Sequence, residues 1–316
     1  MDQTFFPLAP IEVVAAGISY GSGWFDVDIS AYVPYNATAA IVCVYNQSSG
    51  AREWGIRKNG STDNRFLDVS GNAMGWGIIG LDSDKKFEFK NYYSLSNDRV
   101  ECWLVGYITG GVTMSTNGVL VSSGVGAGAW TDIDLSAYLP AGAIGAIFEV
   151  CATSGTTHAW GIRKKGSTDD RTSDMLNQHN QFCAIIGVDS NRFIQVYKGD
   201  AYPQFWLLGY ITDGVTFFTD GKDFTPTLAS TWQYTKNPSL ARLYRSGASG
   251  KFYLIGNAAG GMAILEACDT VNTGVRGYGE SQIGGVGVDR ISNHAFVIVR
   301  TDGLRGRQFS VTRRKM

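Results

Sequence analysis

Along residues 25–30, Phe25, Val27 and Ile29 alternate with Asp26, Asp28 and Ser30. A period of two puts one set on a core face and the other in water, the pattern of a half-buried β-strand. Ala40-Ile-Val-Cys-Val-Tyr45 and Ala146-Ile-Phe-Glu-Val-Cys151 are nearly continuous apolar runs, which predict central strands. Phe87-Glu-Phe-Lys90, Phe193-Ile-Gln-Val-Tyr197 and Trp103-Leu-Val-Gly-Tyr-Ile108 read as further strands. Turns are expected at Asn59-Gly-Ser61, Asp82-Ser-Asp84 and Asp189-Ser-Asn191, where small polar residues cluster. No stretch holds an apolar 3.6 period long enough for a helix of three turns. Short strands at even spacing predict an all-β sandwich or jelly roll.

The same pattern returns along the chain. Trp24-Phe-Asp-Val-Asp-Ile-Ser-Ala-Tyr-Val-Pro34 recurs 106 residues on as Trp130-Thr-Asp-Ile-Asp-Leu-Ser-Ala-Tyr-Leu-Pro140. Trp54-Gly-Ile-Arg-Lys-Asn-Gly-Ser-Thr-Asp-Asn-Arg65 recurs at the same offset as Trp160-Gly-Ile-Arg-Lys-Lys-Gly-Ser-Thr-Asp-Asp-Arg171. Two later blocks, Ile78-Ile-Gly-Leu-Asp82 with Ile185-Ile-Gly-Val-Asp189 and Trp103–Thr109 with Trp206–Thr212, keep the order. Such self-similarity means one duplicated fold. A third, diverged copy is expected because Ala263-Ile-Leu-Glu-Ala-Cys268 resembles Ala146–Cys151 and Val286–Asp289 resembles Ile186–Asp189. Its counterpart of the Trp-Gly-Ile-Arg block has decayed to Gly274-Val-Arg-Gly-Tyr278, and register is lost between Trp232 and Gly260, where an insertion or rebuilt edge is expected.

The predicted organisation is therefore tandem β-sandwich or jelly-roll modules of about a hundred residues: 1–112 with an N-terminal arm, 113–218, and a diverged 219–316. Tyr107–Thr116 resembles Tyr210–Thr219, so both hand-overs use the same short apolar segment. A flexible linker is longer and Gly/Ser-rich; these modules are expected to pack at a fixed angle.

Composition narrows the function. Charged residues are 17% of the 316, below the roughly 25% of an average soluble domain. Forty Gly, 8 Trp, 15 Tyr and 16 Phe exclude disorder and favour packed strands. A net charge of −1 gives no general attraction to nucleic acid or anionic membrane, so no direct nucleic-acid binding is expected. No apolar run approaches the ~18 residues of a membrane helix, so no membrane insertion is expected. The N-terminus lacks the pattern of a signal peptide, and the chain is expected to stay soluble in the cytoplasm where it is made. The five cysteines form no CxxC pair and are expected to be buried free thiols.

Catalytic patterns are missing. His158, His179 and His294 have no Gly-x-Ser-x-Gly elbow beside them, and no enzymatic activity or cofactor is expected. Asp26/Asp28 and Asp132/Asp134 fit strand alternation better than cation binding. Asp82/Asp84, with Asp189/Asn191 in the repeat, is the better hard-cation candidate because loop oxygens converge.

The duplicated Trp-Gly-Ile-Arg block carries two readings. In one, Trp54 and Trp160 stack on a sugar ring while Arg57, Asp63, Arg65, Arg163, Asp169 and Arg171 bond its hydroxyls. In the other, Trp and Ile fill the core, Gly-Ser-Thr-Asp is a turn, and Asp pins a neighbouring Arg. Arg305, Arg307, Arg313, Arg314 and Lys315 make a basic C-terminal segment, read either as solvated or as an anchor on an acidic partner surface.

In the style of its repeat as a whole, the chain resembles virion structural proteins of tailed phages, such as head-decoration, collar or tail components. The resemblance brings no functional residues with it. It implies a non-enzymatic structural subunit, assembled in a host cytoplasm into a virion, self-associating and contacting other particle proteins. The alternative is a carbohydrate-binding module or adhesin using the Trp-Gly-Ile-Arg block.

Overall fold

The structure is a computed structural model describing residues 5–15, 23–65, 67–69, 74–91, 100–153, 158–175, 181–225, 233–234, 242–243, 250–259, 262–269 and 294–300. The first module holds β1 (Phe5–Val14), β2 (Trp24–Asp28), β3 (Ala39–Asn46), β4 (Arg52–Lys58), β5 (Leu67–Val69), β6 (Met74–Gly80), β7 (Lys86–Asn91) and β8 (Val100–Ile108). They form two antiparallel sheets in the orders β1-β8-β3-β6 and β2-β7-β4-β5. Each sheet draws strands from both halves of the module, the interleaved order of an eight-stranded jelly roll.

The second module repeats this strand for strand. Its elements are β9 (Val112–Leu120), β10 (Trp130–Asp134), β11 (Gly145–Ala152), β12 (His158–Lys164), β13 (Ser173–Met175), β14 (Gln181–Gly187), β15 (Phe193–Lys198) and β16 (Pro203–Ile211). The sheet orders are β9-β16-β11-β14 and β10-β15-β12-β13. Alternation sorts the faces as the sequence predicts: Val27 is buried between exposed Asp26 and Asp28, and Ile133 between Asp132 and exposed Asp134.

The third module is rewired. Its strands are β17 (Val215–Asp223), β18 (Gln233–Tyr234), β19 (Arg242–Leu243), β20 (Gly250–Ala258), β21 (Met262–Asp269) and β22 (His294–Arg300). The four-stranded sheet runs β17-β20-β21-β22, with β18-β19 as a separate pair. β21 matches β11, and β17 matches β9. The place beside the opening strand belongs to the last strand of each jelly roll, but here β20, from the stretch where register is lost, takes it. Among the described strands, the order across this sheet thereby follows the order along the chain. Gly274–Tyr278 and Val286–Asp289 lie outside the described residues.

Two cores follow from this layout. One fills the first sandwich, with Val42, Val44, Cys102 and Leu104 of one sheet against Val27, Trp54, Ile56, Phe87 and Phe89 of the other. The second is continuous across modules: Ile41, Cys43 and Ile78 of the first, Phe148, Trp160 and Phe205 of the second, and Ile255 and Ile264 of the third. A core that crosses modules opposes independent motion. Hand-overs occupy 109–111 and 212–214, just ahead of the boundaries expected from sequence. At the first, Gly111 has φ +81°, and a Cβ there would lie 2.9 Å from the Asp213 carbonyl oxygen of the second hand-over. Only glycine suits both conditions.

Cys43, Cys102 and Cys151 are buried free thiols and Cys183 is half-buried. Burial pushes the Cys43 thiol well above its ordinary value and those of Cys151 and Cys183 up to about 12. Among the described residues no helix is long and apolar enough to cross a membrane.

Candidate functional site: the repeated joint between modules

The duplicated block divides into an inner and an outer half. In the inner half, Trp54 and Trp160 are 1% and 0% exposed. Both are core residues, so neither indole offers a face to a sugar. Arg57 points to the opposite side of its sheet, where it ion-pairs with Glu88 at 2.7 Å and lies 4.2 Å from the Trp24 ring. It also donates to the Asp63 carbonyl at 2.5 Å, which fixes the loop that follows. Arg163 repeats this with Gln195, the Trp130 ring at 4.1 Å and the Asp169 carbonyl. Gln195 replaces the carboxylate of Glu88, and burial lowers the pKa of Arg163 from its ordinary value.

The loop turns at Lys58-Asn-Gly-Ser61, with Gly60 at φ +80° and the Ser61 amide donating to the Lys58 carbonyl at 3.0 Å. Gly166 at φ +87° does the same for Ser167 and Lys164. This turn carries the outer half past the edge of its own sandwich and onto the next module.

Four contacts are made there, each twice. Asp63 accepts from the Gly118 amide of β9 at 2.7 Å, and Asp169 from the Gly221 amide of β17 at 2.5 Å. Asn117 accepts from the Ser61 hydroxyl at 2.8 Å and the Thr62 amide at 2.9 Å. Asp220 does so from Ser167 at 3.0 Å and Thr168 at 2.8 Å. Arg65, ion-paired with Asp63 at 2.8 Å, reaches Glu149 of β11 at 2.9 Å and lies 4.6 Å from the Trp206 ring. Arg171, paired with Asp169, reaches Glu266 of β21 at 2.7 Å and lies 5.5 Å from the Tyr253 ring. Finally, an apolar residue of the new opening strand sits on a glycine of the old module. Gly80 has no room for a Cβ, which would fall 2.6 Å from that of Met114; at Gly187 the distance to Phe217 Cβ is 2.5 Å.

The electrostatics are those of a desolvated clamp. Burial opposes the charge of Arg65, but Glu149 and Asp63 outweigh it and hold its pKa above the ordinary value. The carboxyl of Asp220 is held below its ordinary value, chiefly by the Thr168 amide and then by the Ser167 hydroxyl.

No protein-family model matches the chain, and no curated protein does. Solved structures similar to the chain include a bacterial tandem domain. It is the N-terminal CBM22-1–CBM22-2 tandem domain of Paenibacillus barcinonensis Xyn10C, at 10% identity over 64% of this chain and 86% of that one, with a TM-score of 0.19. The jelly roll is read from the strand order itself.

Other sequence candidates fall elsewhere. Asp82 uses one carboxylate oxygen in its own turn, accepting from the Lys86 amide at 2.8 Å, and the other on the neighbouring turn, accepting from the Asn59 side-chain amide at 2.8 Å. Asp189 Oδ1 accepts from two amides of its own turn, Asn191 at 3.0 Å and Phe193 at 2.7 Å. Among the described residues no group of three or more potential metal ligands occurs. His158 is buried, with Nδ1 2.5 Å from Asp200 Oδ2. His179, Arg305, Arg307, Arg313, Arg314 and Lys315 lie outside the described residues. Sequence reasoning missed Glu149, Glu266, Asn117, Asp220, Trp206 and Tyr253. A signal was present: Glu149 is a charged residue inside an apolar strand that recurs as Glu266, whereas the first module has Cys43 at that position.

Proposed function

We propose that this chain is a non-enzymatic structural subunit of a larger particle, a virion component of the decoration, collar or tail kind. Its modules present surfaces at a fixed spacing. The observation that carries this reading is the twice-built joint. The block retained most closely through duplication supplies its polar side chains to the fold and to the joint, not to a ligand cleft. Each joint combines a charged clamp, backbone hydrogen bonds and a glycine-seated apolar plug. That construction serves a part whose shape must not change. Solution mass by light scattering, with electron microscopy of the particles, tests the reading. A discrete trimer, hexamer or larger ring of rigid rods or wedges is expected. A clean monomer at every concentration contradicts it.

A second reading moves a glycan away from Trp54 and Trp160. Trp24 and Trp130 are half-buried on the outer faces of their sheets, each with an arginine beside the ring. Trp24→Ala and Trp130→Ala, screened against immobilised glycans, test it; equal binding by parent and variants removes it.

A further inference from the structure

The face that receives a clamp in the second and third modules has a counterpart in the first, built differently. In the second module, Glu149 lies opposite Trp206 across the ladder; in the third, Glu266 lies opposite Tyr253. The equivalent pair in the first module is Cys43 opposite Trp103. Opposed residues of an antiparallel pair share a face, so Trp103 occupies the position of Trp206, over which Arg65 stacks. The carboxylates stand elsewhere on this face. Glu12 lies opposite Trp103 on the β1 side, and Glu101 is two residues from Trp103 on the same strand, accepting from its indole Nε1 at 2.9 Å. Trp76, opposite Cys43, adds a second half-buried aromatic. Among the described residues, neither Glu12 nor Glu101 makes an ion pair; Glu101, 9% exposed, also accepts from the Gln47 side-chain amide at its other oxygen, a neutral donor that leaves its charge unneutralised. Burial, with Glu12 contributing, raises the pKa of Glu101.

A second change shows what this face no longer takes. Ile11 pairs with Leu104 as Val119 pairs with Leu207, so Pro10 stands where Gly118 does. Proline has no amide hydrogen to give an aspartate. The first module has therefore lost the donor that seats Asp63 or Asp169 while keeping the aromatic and gaining acid. It suits an arginine that brings no aspartate with it. The chain carries such arginines: residues 303–316 contain Arg305, Arg307, Arg313, Arg314 and Lys315 and no acidic residue.

We infer that Trp103, Glu101 and Glu12 form a socket for an arginine of the basic C-terminal segment of a second copy of this chain. Arginine suits the socket because its planar guanidinium stacks on an indole while its N–H groups reach carboxylates. The contact joins two different surfaces, so repeated copies form a ring or an open filament. This rests on the particle-subunit reading and names the contact through which copies join.

Sedimentation of four samples at about 50 mM and about 500 mM salt tests it, because a charged contact outside the core weakens as the screening length shortens. The samples are the full chain, a chain ending at Asp302, the Glu12→Gln/Glu101→Gln double variant, and an equimolar mixture of the two altered proteins. The full chain is expected to assemble at low salt and dissociate at high salt. Each altered protein alone is expected at the smaller mass. The mixture, pairing an intact socket with an intact tail, is expected to form a one-to-one complex. Wild-type assembly by either altered protein, or no complex in the mixture, overturns the socket and leaves the particle-subunit reading standing. A full chain that is monomeric at low salt overturns both.

Discussion

The two joints share one plan but differ in how far they exclude water. In the joint between the first and second modules, Arg65 is 15% exposed and Glu149 3%; between the second and third, Arg171 is 2% and Glu266 0%. The plug grows from Met114 to Phe217, and the loop acceptor changes from neutral Asn117 to charged Asp220. The aromatic changes in the other direction, from Trp206 to Tyr253. The joint to the most diverged module is thus the drier and more highly charged. Divergence of the third module has spared the strand positions that hold it to its neighbour. The first module has Cys43 and Pro10 where the others have glutamate and glycine. In the third module the outer half of the block is no longer recognisable in the sequence.

Breaking the clamps gives the largest contrast. Arg171→Ala takes the arginine away from the fully buried Glu266 and is expected to cost about 3–5 kcal/mol in denaturant unfolding. Arg65→Ala leaves Glu149 nearer to water and is expected to cost about 2 kcal/mol, between the surface and buried cases. Equal losses at the two joints would erase the distinction between them. Next come the glycine seats: Gly187→Ala and Gly80→Ala force a Cβ onto Phe217 and Met114, with an expected cost of about 1–3 kcal/mol each. Small-angle scattering should report a changed inter-module angle in both variants.

A smaller contrast comes from acid. The folded pKa of Asp220 is depressed, so its contribution is present above the unfolded value near 3.8 and is lost as pH falls through the lower folded value. Asn117 does not titrate. Below about pH 3.8, amide exchange at Thr168 is expected to accelerate relative to Thr62, and Asp220→Asn should abolish the difference. The smallest expected effect has the opposite sign. Glu101 has a raised folded pKa, so its destabilising influence is absent below the unfolded value near 4.5 and grows as pH rises through the folded value. Glu101→Gln in the chain ending at Asp302 should therefore raise the melting temperature at neutral pH and leave it little changed in acid. A lower melting temperature at neutral pH contradicts that sign.

Period-two alternation and the repeat made the sandwich class, the strand positions and the first two modules legible, because faces and turns are local properties. Trp54 and Trp160 were ambiguous because a Trp in a strand looks the same facing a core or a ligand. Burial separates the two, and burial depends on the partner sheet. The joint was hidden for a related reason. Arg65 and Glu149 are 84 residues apart, and nothing local says that one leaves its own module to reach the other. The placement of β20 was hidden because a strand beside the opening strand has the same pattern whichever part of the chain supplies it.

A double-mutant cycle on Arg171 and Glu266 bears most directly on the claim that the block is a joint. Arg171→Met, Glu266→Leu and the double variant would be compared with the parent in denaturant unfolding. Two side chains in one buried ion pair should show coupling above about 1 kcal/mol, with the double variant recovering much of what either single variant loses. Additive losses, with coupling indistinguishable from zero, would mean that Arg171 and Glu266 do not hold the modules together.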